Sequence, residues 1–216
     1  MNYDMCDPNT NGEYHFLESI AKKLKFAFDI GANVGDYSIK LKSYNPDCRI
    51  IAFEPMPGFA RRTRDLGIET YQIAVGEAAG VGIFYRNTRI PALSSFHLNN
   101  ENTVPMPVTI QCVDDIIKRI PVQGPALMKI DTEGNDVPVL RGAHKTLAAG
   151  IFEYIQFEYG EHFKHAHEQL ESAFDILMGH GYNVFHVNPD GLLSCPEFLP
   201  EYEVFRYSNW VAIKDK

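Results

Sequence analysis

The chain lacks the marks of a membrane-spanning or disulfide-stapled protein. No apolar run approaches the roughly 18 residues needed to span a bilayer, and Met1-Asn2-Tyr3-Asp4 has neither the basic nor the apolar region of a signal peptide. Four cysteines (Cys6, Cys48, Cys112, Cys195) stand far apart without a C-x-x-C pair, which argues against a disulfide frame or a zinc site. They read as isolated reduced thiols, and a cytoplasmic protein is expected. Positive charge is also scarce. Lys and Arg number 20 against 28 Asp and Glu, a formal net charge of −8, so a sequence-independent nucleic-acid binder with a basic face is not expected. Repeats, low-complexity tracts and linkers are missing too, and 216 residues suffice for one well-buried core.

What the chain does have is a strand–turn–helix–strand pattern near its start. The apolar run Lys25-Phe26-Ala27-Phe28 leads into Asp29, and Gly31 and Gly35 follow. A helix-compatible stretch (Tyr37 to Ser43) and a second apolar run, Ile50-Ile51-Ala52-Phe53, then lead to Glu54. An acid roughly 20–25 residues after a glycine turn is where a nucleoside-binding βαβ unit reaches a ribose. A carboxylate suits a vicinal diol because it accepts two hydrogen bonds, and the glycines would let backbone pass close to the ligand.

The turn chemistry discriminates between nucleosides. A dinucleotide site needs G-x-G-x-x-G so that a pyrophosphate can rest on bare backbone. Here Asn33 holds the place of the middle glycine and Asp29 precedes the turn. A carboxylate repels a pyrophosphate but attracts the ammonium of an amino-acid moiety. S-adenosylmethionine carries that moiety and no phosphate, so it is preferred over NAD.

Farther along, Glu13 to Leu24 has a helical stripe, Gly58 to Leu66 reads as a helix started by Pro57, and Thr70 to Val75 reads as the third strand. Val81 to Tyr85 and Val108 to Val113 are strand-like and flank polar, proline-punctuated sequence, the pattern of an inserted hairpin or flap. Regular alternation then resumes. Strands at Ala126–Ile130, Tyr154–Phe157, Tyr182–Val187 and Trp210–Ile213 alternate with helices from Asn135, as cap, to Leu147 and from His167 to His180. The Asp114-Asp115 pair reads as a helix start. Such alternation implies an open α/β sheet, whose ligands bind beyond the C-terminal strand ends.

Four of these strands end in acids: Asp29, Glu54, Asp131 and Glu158. Like charges gathered at one edge repel unless a ligand or cation compensates. Asp131 is the first candidate for a general base. Glu133 and Glu158 could orient an acceptor hydroxyl, and Lys129 could neutralise the cluster. Asp131 and Glu158 are also candidate ligands of a divalent cation such as Mg²⁺.

The stretch Lys129-Ile130-Asp131-Thr132-Glu133-Gly134-Asn135-Asp136, followed by Val139-Leu140-Arg141-Gly142-Ala143, resembles the signature of FkbM-type methyltransferases. Residues Phe28 to Asp36 and Phe53-Glu54-Pro55 match the same family, with weaker matches at Ala74-Val75-Gly76 and Ser94-Ser95. The resemblance covers about residues 26 to 160. It implies a class I, Rossmann-like sheet of seven mostly parallel strands with the last antiparallel, carried by residues 26–216 behind an N-terminal helical segment, 1–25. The flap would occupy about 80–112. It also implies S-adenosylmethionine-dependent O-methylation of a sugar, glycan, glycolipid or natural-product acceptor. The expected cofactor residues are Asp29, Gly31, Asn33, Gly35, Asp36, Tyr37, Glu54 and Pro55, with Ala74 and Val75 near the adenine. The acceptor set is Ser94, Ser95 and His97, within a flap that also holds Leu98, Asn99 and Asn100, and His162 in the segment after Glu158. Tyr202, Tyr207 and Trp210 could offer sugar-stacking faces or core area. The alternatives are an NAD-linked oxidoreductase on a similar sheet and a non-catalytic binding module of the same fold.

Overall fold

The computed structural model describes residues 3, 5–97 and 102–215; Leu98, Asn99 and Asn100 of the flap lie outside them. The first half runs α1 (Glu13–Ala21), β1 (Phe26–Ile30), α2 (Asp36–Tyr44), β2 (Arg49–Phe53), α3 (Pro57–Asp65) and β3 (Glu69–Tyr71). Three strands depart from that alternation: β4 (Ala74–Val75), β5 (Gly80–Asn87) and β6 (Thr103–Gln111). The chain continues through α4 (Val113–Arg119), β7 (Ala126–Ile130), α5 (Asp136–Arg141), α6 (His144–Ala148) and β8 (Tyr154–Tyr159). It closes with α7 (His162–Ala166), α8 (Leu170–Gly179), β9 (Tyr182–Asn188), β10 (Gly191–Cys195) and β11 (Ser208–Lys214).

The main sheet has the order β10-β9-β11-β8-β7-β1-β2-β3. Strands β3, β2, β1, β7 and β8 pair in parallel, and β11 runs antiparallel between β8 and β9. The last strand is therefore antiparallel as expected, but the sheet holds eight strands rather than seven. The extra one, β10, folds back on β9 as an antiparallel edge hairpin. A short turn at Pro189-Asp190 joins that hairpin, a connection too tight for a parallel crossover.

Alternation along the strands sorts two apolar layers. Phe26, Phe28 and Ile30 face one core with Phe53, Ile130, Ile155 and Phe157. Ala27 faces the other with Phe16, Leu17 and Ile20 of α1, Ile50 and Leu127. The N-terminal helix thus packs on the sheet as part of the main core.

Several element boundaries differ from the sequence expectation for local reasons. Helix α1 stops short of Leu24 because Lys23 and Leu24 donate to carbonyls three residues back, tightening the end into a turn. The expected third strand divides at Gln72-Ile73. Its first part stays beside β2, and Ala74-Val75 leaves to pair with β6 in a separate three-stranded sheet. The helix expected from Asn135 to Leu147 breaks at Gly142, where a Cβ would sit 2.2 Å from the Gly76 carbonyl oxygen. Asp114 caps the second piece, accepting from the Lys145 and Thr146 amides at 2.9 and 2.8 Å. Asn135 makes no cap hydrogen bond; its Nδ2 donates to the Val75 carbonyl at 2.7 Å instead. The helix expected from His167 to His180 starts only at Leu170, because His167 takes a left-handed conformation (φ 55°) that closes the preceding short helix α7.

Candidate functional site

Strand register aligns the site. Ile30 pairs with Phe53 on one side and with Ile130 on the other, and Ile130 pairs with Phe157. The next residue of each strand therefore falls in one row: Glu54, Gly31, Asp131 and Glu158. Asp29 lies two residues below that row, beside Lys129 and in line with Gln156. The four acids thus occupy two levels.

The lower level is a buried polar layer. Asp29 is 3% exposed, and its Oδ2 accepts from the Ser38 hydroxyl at 2.5 Å. Burial pushes its carboxyl up to about 6. Lys129, 2% exposed, extends its ammonium to Asp131 at 3.1 Å and to Glu13 of α1 at 3.6 Å. Burial alone would lower the lysine, but Asp131, Glu13 and Glu158 hold it well above its usual value. Gln156 accepts from the Tyr37 hydroxyl and donates to Glu13, both at 2.8 Å. Glu13 and Gln156 carry no sequence motif. The legible signal for Gln156 is a polar residue between the apolar Ile155 and Phe157.

The upper level opens into a cleft with about 720 Å³ of empty space, its mouth included. Gly31, Asn33, Glu54, Pro55, Ala74 and Val75 line it, as do Asp131, Glu133, Glu158 and Ser94. Asp29, Gly35, Asp36 and Tyr37 lie outside its lining, as do Lys129, Ser95, His97 and His162. Missed by sequence reasoning were the apolar walls: Met56 and Phe59 from the start of α3, Ile73, and Phe84 and Phe96 of the flap. The Met-Pro-Gly-Phe run directly after Glu54-Pro55 was the available signal for the first two.

Glu54 is 5% exposed and bidentate toward backbone. Its Oε2 accepts from the Asn33 amide at 2.8 Å and its Oε1 from the Met56 amide at 2.7 Å. Burial outweighs these two bonds and pushes the carboxyl up to about 7. Each oxygen keeps a further lone pair for a ligand hydroxyl. Asn33 is itself in the left-handed region (φ 49°), which aims its amide at Glu54. Gly31 has a different reason from the expected close approach of a ligand. At φ 82°, its Cβ would lie 1.8 Å from the Asp131 carbonyl oxygen, so the join of β1 and β7 requires glycine.

Across the cleft, oxygens of Asp131, Glu133 and Glu158 lie within 4.8 Å of one another. Lys129 supplies the counter-charge to Asp131. Burial, with repulsion from Asp131 and Asp136, pushes Glu133 up to about 8, and burial with Asp131 and Glu133 raises Glu158 well above the carboxylate range. Glu133 therefore favours its protonated form at neutral pH, while Asp131 faces the Lys129 ammonium. Glu133 stands at φ 53°, a strained conformation for this side chain, and its carbonyl accepts from the Ser95 hydroxyl at 2.7 Å. Ser95 thereby ties the flap to the acid turn, and Ser94 is occupied within the flap, accepting from the Asn87 amide at 3.0 Å. His162 lies in α7 with Nδ1 4.0 Å from Glu158 Oε1. Trp210 and Tyr202 are core residues, whereas Tyr207 lines a second groove beside the acids.

The profile of the methyltransferase FkbM domain matches residues 29–184. A Beauveria bassiana (strain ARSEF 2860) protein named Methyltransferase 1 is 24% identical over 143 residues, spanning 54% of this chain and 57% of that protein. The crystal structure of Methyltransferase FkbM from Methylobacillus flagellatus KT superposes with a TM-score of 0.52 at 14% identity, covering 88% of this chain and 44% of that one. A Listeria monocytogenes structure, described as an S-adenosylmethionine dependent methyltransferase, gives 0.53 at 10% identity over 95% and 99% of the two chains. This chain thus spans about half the length of the first two relatives, and the superpositions establish a shared fold.

Proposed function

Because this chain belongs to the FkbM methyltransferase family, we propose that it transfers a methyl group from S-adenosylmethionine to a hydroxyl of a sugar, glycan, glycolipid or natural-product acceptor. The observation that carries this reading is the two-sided cleft, with Glu54 and the Asn33 turn on one wall and the Asp131, Glu133 and Glu158 carboxyls on the other.

The first wall fits the cofactor. Glu54 would accept from both ribose hydroxyls with the lone pairs that Asn33 and Met56 leave open. Ile73, Ala74, Val75 and Met56 supply apolar contact for an adenine. When bound, the cofactor supplies an electrophilic sulfonium methyl, so the protein must align an acceptor oxygen and remove its proton.

Asp131 is the base in this reading, because the Lys129 ammonium lies against it at 3.1 Å. Glu133, its carboxyl pushed up to about 8, donates a hydrogen bond that orients the acceptor hydroxyl, and Glu158, raised in the same direction, stands beside it. A second reading of the same three carboxyls is a divalent-cation seat, favoured by their mutual spacing. Methyl transfer that survives a chelator would remove it.

The test is parallel calorimetry with S-adenosylmethionine, S-adenosylhomocysteine and NAD. Micromolar binding of the first two and none of NAD is expected. Binding of NAD alone would overturn the reading in favour of an oxidoreductase.

A further inference from the structure

Beside the cofactor cleft lies a second groove, between α7 and the 203–207 segment, with about 1050 Å³ of empty space by the same measure. Glu133 lines both, so the groove begins where the acid wall of the first cleft ends. Lys164 and His165 line the groove from α7 and Arg206 from the facing segment, basic groups in a chain of net charge −8. The acids lining it are Glu133 and Glu161.

Two side chains give the groove an aromatic wall, Phe205 and Tyr207. Phe205 sits at φ 53°, a conformation that bulky side chains rarely adopt. Its amide donates to the Tyr159 hydroxyl oxygen at 2.7 Å, and that hydroxyl donates to Glu203 at 2.7 Å. Backbone strain maintained by surrounding bonds in this way collects at ligand sites. Among the described residues Lys164 makes no ion pair, and its ammonium lies 5.0 Å from the centre of the Phe205 ring. The Arg206 guanidinium lies over the Tyr3 ring at 5.4 Å. At the inner end, His162 Nε2 is buried with no hydrogen-bond partner among the described residues.

We infer that this groove seats the methyl acceptor, and that the acceptor is a hydroxylated ring bearing an anionic group, phosphate or carboxylate, held by Lys164 and Arg206 over the Phe205–Tyr207 wall. This rests on the methyl-transfer reading above. A planar guanidinium and an ammonium lining the same groove favour such an anion, and an aromatic face favours the apolar side of a sugar ring.

The full-length protein is titrated with glucose, glucose 6-phosphate and glucuronate, with and without S-adenosylhomocysteine, and inorganic phosphate is used as competitor. One or both charged sugars should bind at least about tenfold more tightly than glucose. The better of the two identifies phosphate or carboxylate as the source of the anion. The double variant Lys164→Ala/Arg206→Ala should lose that preference while keeping wild-type affinity for S-adenosylhomocysteine and an unchanged melting temperature. Lys118→Ala, a charge removed outside the groove, should keep the preference. Equal affinity for glucose and the charged sugars, no binding of any sugar, or a preference that survives the double variant would each overturn the inference. Failure of S-adenosylhomocysteine to bind would instead count against the methyl-transfer reading, since charge selection is read separately in its absence.

Discussion

The Asn33 amide donates to Glu54 Oε2 at 2.8 Å, across 21 positions of sequence, and so joins the glycine turn after β1 to the acid after β2. The bond fixes the carboxylate at the cleft wall before any ligand arrives. Pre-set geometry of this kind lowers the ordering cost of binding.

Replacing Glu54 by alanine removes that carboxylate and leaves the Asn33 and Met56 amides without their acceptor. S-adenosylmethionine affinity should fall by roughly 1–3 kcal/mol, the usual cost of losing a charged hydrogen-bond partner. Calorimetry reads it directly, and unchanged affinity would sink the ribose assignment.

Glu54 also makes stability depend on pH. Its folded pKa, about 7, lies above the ordinary 4.5, so the folded state binds the extra proton between those values. Stability from this group is present in full below about 4.5 and is lost as pH rises through 7. The loss is on the order of 3 kcal/mol. Glu133, at about 8, extends the same trend upward. Urea unfolding at pH 5 and pH 8 should show a smaller drop for Glu54→Gln than for the wild type. An identical drop in both would remove Glu54 as its source.

Lys129 is the counter-charge for a buried acid as well as for the cleft. Changing it to methionine leaves Glu13 and Asp131 without their ammonium. Removing one partner of a buried ion pair costs roughly 3–5 kcal/mol. Chemical denaturation should show a loss of that size, and a near-neutral result would mean that Glu13 simply takes up a proton.

Asp131→Asn should leave S-adenosylmethionine binding intact and slow methyl transfer by about 10²–10⁴-fold, the range for a general base. The pairing of unchanged affinity with reduced turnover is the diagnostic. Full activity would move proton removal to Glu158 or His162, which lie together at the far end of the cluster.

Much of the architecture was legible because it is local. Apolar runs ending in acids marked β1, β2, β7 and β8, and Gly31, Gly35 and Pro57 punctuated the turns between them. From these, the row Glu54, Asp131 and Glu158 could be placed at one sheet edge. The placement of Asp29 in that row failed because register, which depends on pairing partners, drops it one layer into the core beside Ser38. The helix after Asn135 failed at Gly142 because what interrupts it is the distant Gly76 carbonyl.

Local pattern therefore carried the family, the sheet and the acids that line its edge, since hydrophobic period and turn chemistry act over a few residues. Long-range contact decided the rest. The link from Lys129 to Glu13, the aromatic walls supplied by Phe84 and Phe96, and the strained Phe205 beside α7 all join segments far apart in the chain. Their geometry follows from how buried charges and rings find partners once the layers have packed, which no short window of sequence records.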